Sequence, residues 1–278
     1  MNDSFSEQEV FGQEPKHPAY GVLRRVSATA GVVLERNPSV LTLEGTNSWV
    51  LRATSASSSV VIDPGHDDES HLDALTQTGS VSLVLLTHHH PDHADGAVRF
   101  AKRVNAPVRA FDPRWCVAAE SLVDGEVISE AGLEIQVLHT PGHTDDSLTF
   151  VVANDDSAIA LTGDTVLGRG TTGITDLSAY FHSLQKLLLL PETTMGLPGH
   201  GPELPDLRAT VEYYVTHRKA RLEQVREAQK TLGPNATDEQ IVALVYHDID
   251  QALSKAAAYN VGVQLKYLRD QSVADRES

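Results

Sequence analysis

The run Thr87-His88-His89-His90-Pro91-Asp92-His93-Ala94-Asp95-Gly96 constrains this chain more than any other stretch, because it sets His88, His90, Asp92 and His93 in the spacing H-x-H-x-D-H. Before it, Val81 to Leu86 is an apolar run that reads as a buried strand; after it, Ala97 to Val104 reads as a helix. The candidate ligands therefore sit at a strand-to-helix turn. In extended chain His88 and His90, two residues apart, point to one side, and the turn swings Asp92 and His93 to another. One short segment can thus feed two adjacent metal ions. Imidazole and carboxylate without thiolate suit zinc, and manganese or iron would accept the same set.

Three further segments end an apolar run on a ligand-type residue. Ile135 to Leu138 leads to Thr140-Pro141-Gly142-His143, Ala158 to Leu161 leads to Thr162-Gly163-Asp164, and Met195 to Leu197 leads to Pro198-Gly199-His200. A glycine directly precedes each ligand, and glycine lets the backbone turn tightly where a side chain must be aimed.

Together these residues resemble the metallo-β-lactamase superfamily, in which such a motif is followed in order by a distant His, an Asp and a His. The resemblance covers about residues 20 to 205. It implies an α/β fold, a four-layer αββα sandwich, and a two-metal site holding two Zn2+, with Mn2+ or Fe2+ as alternatives. Carried over residue by residue, His88, His90 and His143 would hold the first ion, Asp92, His93 and His200 the second, and Asp164 would bridge them. Asp92 and Asp164 would be the catalytic carboxylates beside a bridging hydroxide. Val60 to Gly65 resembles the strand and loop that support the metal loop, so Asp63 is expected to hold a ligand, with Thr87 and Asp95 as further candidates; a metal-bound His commonly donates its other N–H to such a group. His89, between two ligands, is expected to face away from the metals, and His139 and His66 are expected to be structural.

A narrower resemblance joins Gly168-Arg169-Gly170-Thr171-Thr172, Pro198 to Pro202 and Val215 to Arg221 to the β-lactamase-like 2 family. That family adds a small winged-helix-like domain and includes an endoribonuclease acting on single-stranded RNA. The resemblance implies substrate contacts from Thr171, Thr172, His217 and Arg218. The chain departs from the family pattern at Asp63-Pro64, where Asp-Thr is usual, and at Gly173-Ile174 after the double threonine.

Length fits one large domain plus a small one: 278 residues, at roughly 100 to 200 residues per domain. The expected division is a disordered N-terminus over 1–19, the hydrolase domain over 20–205 and a winged-helix-like helical domain over 206–278. In the last of these, Asp206 can cap a long helix that Gly233-Pro234 stops, and Thr237 with Gln240 forms a capping box. Helices over about 250–260 and 262–270 are expected to follow. No stretch approaches the ~18 consecutive apolar residues of a membrane span. The acidic, polar start lacks an export pattern, and the single cysteine, Cys116, reads as a buried small hydrophobe in a reducing compartment. The chain is expected to be cytoplasmic, away from membranes, with a homodimer as candidate assembly.

Net charge is −16, and residues before 206 carry nearly all of it. The most basic stretch, His217 to Lys230, belongs to the tail. β-Lactamase activity is set aside, because those enzymes resemble this chain only as far as His143 and lack the bridging Asp164. A flavin-coupled diiron oxidoreductase resembles H-x-E-x-D where this chain has His90, and a mononuclear-iron persulfide dioxygenase shares much of the motif. The preferred reading is endoribonuclease-like cleavage of single-stranded RNA, favoured by the winged-helix-like tail; the alternative is glyoxalase II-like hydrolysis of a small thioester or ester, favoured by the acidic main domain. A non-catalytic nucleic-acid-binding protein is the reading from another class, and it is disfavoured by seven ligands out of seven being present.

Overall fold

The computed structural model describes residues 19–153, 158–233, 236–246 and 254–277. Residues 1–18, on which the expectation of a disordered N-terminus falls, lie outside them. Among the described residues eleven strands form two sheets. In the first, β1 (Arg24–Arg25), β2 (Ala30–Leu34), β3 (Asn47–Leu51) and β4 (Ser59–Ile62) run antiparallel, and β5 (Val81–Leu85) and β6 (Val108–Arg109) continue parallel to β4. Helices α1 (Glu69–Thr76), α2 (Pro91–Ala94) and α3 (Ala97–Val104) accompany the parallel half. The second sheet has the order β11-β10-β9-β8-β7, from β7 (Val127–Glu130), β8 (Leu133–His139), β9 (Leu148–Ala153), β10 (Ala158–Gly163) and β11 (Thr194–Pro198). Its one parallel pair, β10 with β11, is joined through helix α4 (Leu177–Leu188), as a parallel connection requires a crossover.

The strand sequences dictate the layering. A strand covered on both faces reads as a continuous apolar run, and β2, β4 and β10 are buried at every position. Between the sheets, Trp49, Leu51, Ile62 and Leu85 of the first pack on Ile135, Val137, Phe150 and Leu161 of the second. On the outer face of the first sheet, Val61 and Val84 meet Leu72, Leu75 and Phe100 of α1 and α3. On the outer face of the second, Val151 and Ala160 meet Tyr180 and Leu184 of α4 and Val211 and Tyr214 of the long helix α5 (Leu207–Leu232). The order of layers is helix, sheet, sheet, helix.

Asp206 caps α5 by accepting from the Ala209 amide at 2.9 Å, and Gly233 ends it at φ 86°. The capping box at Thr237 and Gln240 starts α6 (Asp238–Val245). The tail departs from expectation after that point. One continuous helix, α7 (Ser254–Glu277), replaces the two shorter ones, whose first residues, 250–253, lie outside the described residues. Gly262 costs this helix roughly 1 kcal/mol relative to alanine, but Val261 and Leu265 beside it are buried against Val225, Ala228 and Ile241, and that packing outweighs the local preference. From α5 onward every described element is a helix, so the strands of a winged helix are not among them.

Ring and amide donors pin the two sheets together next to the third ligand loop. Asn47 Nδ2 donates to the carbonyls of Pro198 (3.0 Å) and Gly201 (2.9 Å), Trp49 Nε1 donates to Pro198 (3.0 Å), and the Asn47 amide donates to Gly199 (2.8 Å). Asn47→Ala is expected to lower unfolding free energy by about 1–3 kcal/mol, the usual result of stranding buried carbonyls, as measured by denaturant titration.

Candidate metal centre

The seven candidate ligands come from loops at one end of both sheets, and four of the five imidazoles are oriented by the nitrogen that faces away from the cluster. β5 ends at Leu85, and Thr87 then donates twice to Asp63 at the end of β4: its amide to Oδ1 at 2.7 Å and its hydroxyl to Oδ2 at 2.6 Å. Asp63 sits at φ 53°, a left-handed conformation that a residue other than glycine adopts only under structural constraint. The same Oδ2 accepts from His93 Nδ1 at 2.9 Å, and the Thr87 hydroxyl accepts from His88 Nδ1 at 3.0 Å. His143 Nδ1 donates to the Gly173 carbonyl at 2.7 Å and lies 2.9 Å from Thr172 Oγ1; His200 Nδ1 donates to the Gly45 carbonyl at 3.2 Å. The expected supporting roles of Asp63 and Thr87 are realised as contacts, and Gly45 and Gly173 join them through backbone carbonyls that side-chain reasoning could not find.

Two of the glycines before ligands have distinct reasons. Gly142 has φ 131°, and a Cβ there would lie 2.5 Å from Tyr180. At Gly199 the demand is space alone: a Cβ would approach Asp164 Oδ1 to 2.4 Å and His93 Cε1 to 2.7 Å.

The inward nitrogens converge. His90 Nδ1 lies 3.1 Å from His88 Nε2 and 3.0 Å from His143 Nε2, and His93 Nε2 lies 3.3 Å from His200 Nε2. Asp92 Oδ2 is 3.2 Å from His200 Nε2 and 3.6 Å from His93 Nε2. Asp164 reaches both groups: Oδ2 is 3.3 Å from His200 and 3.7 Å from His143, and Oδ1 is 3.5 Å from His93. Three sets of donors fall within 4.8 Å of one another, namely His88/His90/His143, His88/His93/Asp164 and Asp92/His93/His200.

This set fits divalent cations. With Nδ1 of His88 and His143 committed as donors, their Nε2 lone pairs both face His90 Nδ1, which has at most one proton to share between them, whereas a cation among the three would satisfy every lone pair. Asp164 Oδ1 is buried with no hydrogen-bond partner and is offset only by the charge of the His93 ring at 3.5 Å, so a desolvated oxygen keeps lone pairs to give. Protonation divides the donors in two. Burial, reinforced by neighbouring imidazoles, pushes His88 well below its ordinary range, His90 to about 4, and His143 down, so these three are neutral and ready as ligands. In His93 and His200 burial acts in the same direction but the carboxylates outweigh it: Asp164 and Asp63 raise His93, and Asp164 with Asp92 raises His200 to about 10. Burial opposes ionisation of Asp92 and Asp164, yet His200 and His93 hold Asp92 at about 2 and Asp164 well below the carboxylate range.

The cluster forms the floor of a cavity of about 1140 Å³. Val40, Leu41 and Leu43 line one side of it; Arg169, Thr171 and Thr172 come from the loop after β10, and His217, Arg218, Arg221, Tyr246 and Asn260 from the helical tail. Of the expected substrate contacts, Thr171, Thr172, His217 and Arg218 all border the cavity, but Thr172 and Arg218 are buried and engaged. Arg218 NH2 donates to the Thr172 carbonyl and its guanidinium lies 5.5 Å from the Tyr180 ring centre, so it ties α5 to the loop holding His143. Arg221, Tyr246 and Asn260 were missed. Arg221 lies one helical turn beyond the residues singled out, and that spacing was the available signal. His89 bonds Asp146 at 2.7 Å and does not line the cavity; His139 stacks on Phe111 at 4.0 Å. His66 pairs with Glu35 at 3.0 Å yet borders the cavity as well. Cys116 is partly buried beside Trp115 and Val117.

Comparison with known proteins agrees with this geometry. The family model described as the metallo-beta-lactamase superfamily matches residues 41–200. A protein named beta-lactamase-like protein 2 homolog, from Drosophila melanogaster, is 32% identical over 266 residues, covering 88% of this chain and 89% of that one. A protein named atrochrysone carboxyl ACP thioesterase, from Aspergillus chevalieri, is 30% identical over 295 residues, covering 99% and 93%. Among solved structures, a beta-lactamase domain protein from Burkholderia ambifaria superposes with a TM-score of 0.75 at 20% identity, covering 91% of this chain and 90% of that one, a likeness of fold.

Because the ligand nitrogen of His200 carries a proton in the metal-free protein, and the neighbouring carboxylates favour one on His93, a cation at their site must compete with protons there. Zinc titration at neutral pH, followed by calorimetry in buffers of different ionisation enthalpy, is expected to show two ions bound per chain with net proton release. Affinity for one of them should fall as pH is lowered through the neutral range, and affinity for the ion held by His88, His90 and His143 should not. Asp63→Asn removes the acceptor that fixes His93 and is expected to weaken zinc about 10–100-fold, measured by competition with a chelator.

Proposed function

The chain belongs to the metallo-beta-lactamase superfamily, and we propose that it is a two-metal hydrolase whose substrate is a thioester or ester. The observation that carries the reading is the convergence of all seven donors, with Asp164 Oδ1 buried and unpartnered between the two groups, on the floor of one large cavity.

His88, His90 and His143 would hold one divalent ion and Asp92, His93 and His200 the other, with Asp164 between them; zinc is the proposed metal. When bound, such ions supply a hydroxide nucleophile at neutral pH and polarise the scissile carbonyl. The protein's own contribution is orientation. Thr87, Asp63 and the Gly173 and Gly45 carbonyls accept from the outer nitrogens of His88, His93, His143 and His200 and so turn the other nitrogen of each ring inward; that nitrogen is free of a proton in His88 and His143 and loses one in His200 when an ion binds. A thiolate, with a pKa of ~8.5, departs without a proton donor. That suits this cavity, where every floor imidazole is a candidate ligand and burial, with Arg218 and Arg221, lowers His217 to about 4.

Support for the thioester reading comes from three sides. A relative aligned along nearly the whole chain is named a thioesterase. Val40 and Leu41, 60% and 65% exposed, offer apolar surface at the cavity rim to an acyl group. The net charge of −16 disfavours a long polyanion. The RNA reading rested on a winged-helix-like tail, and the described tail elements are helices only; the feature that still favours RNA is the group of arginines bordering the cavity, Arg169, Arg218 and Arg221. The superfamily assignment supports a hydrolase, with a purely nucleic-acid-binding role disfavoured by the intact donor set.

Zinc-loaded protein is expected to hydrolyse a small-thiol acyl thioester and to leave a single-stranded RNA oligonucleotide intact, with Asp164→Ala reducing thioester hydrolysis by roughly 100-fold or more. Asp164-dependent cleavage of RNA with the thioester untouched would reverse the order of the two readings.

A further inference from the structure

Arg218 is 3% exposed, and the partners it has are neutral: the Thr172 carbonyl and the Tyr180 ring. Its Nε is buried and without a hydrogen-bond partner. One turn further along α5, Arg221 lies 4.8 Å from the Tyr246 ring centre and donates to the Gln224 side chain and the Val245 carbonyl, again neutral groups. Among the described residues neither guanidinium has an ion-pair partner, in a chain carrying 38 acidic residues. By contrast Arg169, on the other side of the cavity, is matched by Glu44 at 2.6 Å. The carboxylates that line the cavity among the described residues are Asp92 and Asp164, both candidate metal ligands.

A buried cation without a counter-charge is costly, and proteins keep one where a ligand completes the pair. Uncharged donors stand beside it. His217 Nδ1 is buried with no partner, and Asn260, whose Oδ1 accepts from the Ile174 amide at 3.4 Å, has its Nδ2 still to give. All of these residues border the same cavity as the metal-binding floor. Burial and the two arginines keep His217 neutral at physiological pH, so it can share a hydrogen bond with an anion without adding charge.

We propose that Arg218 and Arg221, with His217 and Asn260, form a subsite for an anionic oxygen group, phosphate or carboxylate, on the part of the substrate remote from the scissile bond. The proposal rests on reading the floor of this cavity as the hydrolytic site and names the class of thioester it takes: one whose thiol half is an anion. The floor then attends to the carbonyl and the tail to the carrier. It also explains why arginines gather in the cavity of an acidic chain without requiring a polynucleotide.

Binding can be measured without turnover. The probes are S-methyl thioethers, which lack a thioester acyl group: 4′-phosphopantetheine against neutral pantetheine for phosphate, and N-acetylglutathione against its neutral diester for carboxylate. Titrated into metal-loaded, full-length protein, at least one anionic probe is expected to bind about tenfold or more tighter than its neutral partner, a difference of ~1.4 kcal/mol. The pair that shows the difference identifies the group. In Arg221→Gln the advantage should nearly vanish; because Arg221 also packs on Tyr246, the unfolding temperature of the variant is compared with that of the unaltered chain. A salt series on the unaltered chain needs no variant: between about 50 and 500 mM NaCl the anionic probe should weaken several-fold more than the neutral one. Equal affinities within both pairs, an advantage that survives Arg221→Gln in a folded variant, as an anion sitting on the metals would give, or no differential salt effect would each overturn the subsite. If thioesters are not hydrolysed while the binding advantage stands, the thioester reading fails and the anion subsite does not.

Discussion

Five imidazoles and two carboxylates pressed together where the sheets meet are the constraint on which the rest of this structure depends. Such a group cannot be left to side-chain preference, because each ring has two nitrogens and only one may point inward. The fold therefore assigns an acceptor to the outer nitrogen of His88, His93, His143 and His200, and those acceptors come from widely separated parts of the chain: Thr87, Asp63, Gly173 and Gly45. The loops after β2, β4 and β10 are recruited to hold ligands contributed by others, while Thr87, after β5, holds its own neighbour His88. A left-handed Asp63 and a Gly199 with no room for a Cβ are local concessions to that packing.

Charge divides the cluster further. His88, His90 and His143 meet mostly one another, and burial keeps them neutral; His93 and His200 face Asp92, Asp164 and Asp63, and the carboxylates hold protons on them. The asymmetry follows from where the acids sit: Asp92 is one residue from His93, and Asp164 leans toward His200 at 3.3 Å rather than His143 at 3.7 Å. The two halves of the site thus start from different proton inventories although their ligand types are nearly the same.

The ligands were legible in the sequence because chemistry fixed both residue type and spacing: H-x-H-x-D-H admits few other uses, and His143, Asp164 and His200 each follow a glycine at the end of an apolar run. The strands that lead to the ligands, β5, β8, β10 and β11, and helix α3 were legible for the same reason, having the period or continuity of buried elements. What escaped was of two kinds. Backbone carbonyls such as Gly45 and Gly173 leave no trace in residue identity. Tertiary burial overrode local preference at Gly262, where a break was expected and a continuous helix formed around Val261 and Leu265. Arg218 illustrates a third difficulty: its place was found but its engagement was not, since nothing in the sequence says that a basic helical residue will be buried against Tyr180.

Helix α5 explains how such a residue comes to be there. Its first turns are committed to the second sheet through Leu207, Val211 and Tyr214, and its last turns to the tail through Val225 and Ala228. At 1.5 Å per residue its 26 residues span about 39 Å, so its middle passes from one core to the other. His217, Arg218 and Arg221 lie along that passage, beside Leu222, which still belongs to the first core. Residues at a crossing between cores lose solvent without gaining an apolar neighbourhood of their own, and a long side chain with several donors can fill such a space while reaching the loop at Thr172. The position that makes Arg218 a tie between the tail and the His143 loop is therefore the same one that leaves its charge unmatched beside the cavity: structural burial and a demand for an anion arise from a single placement.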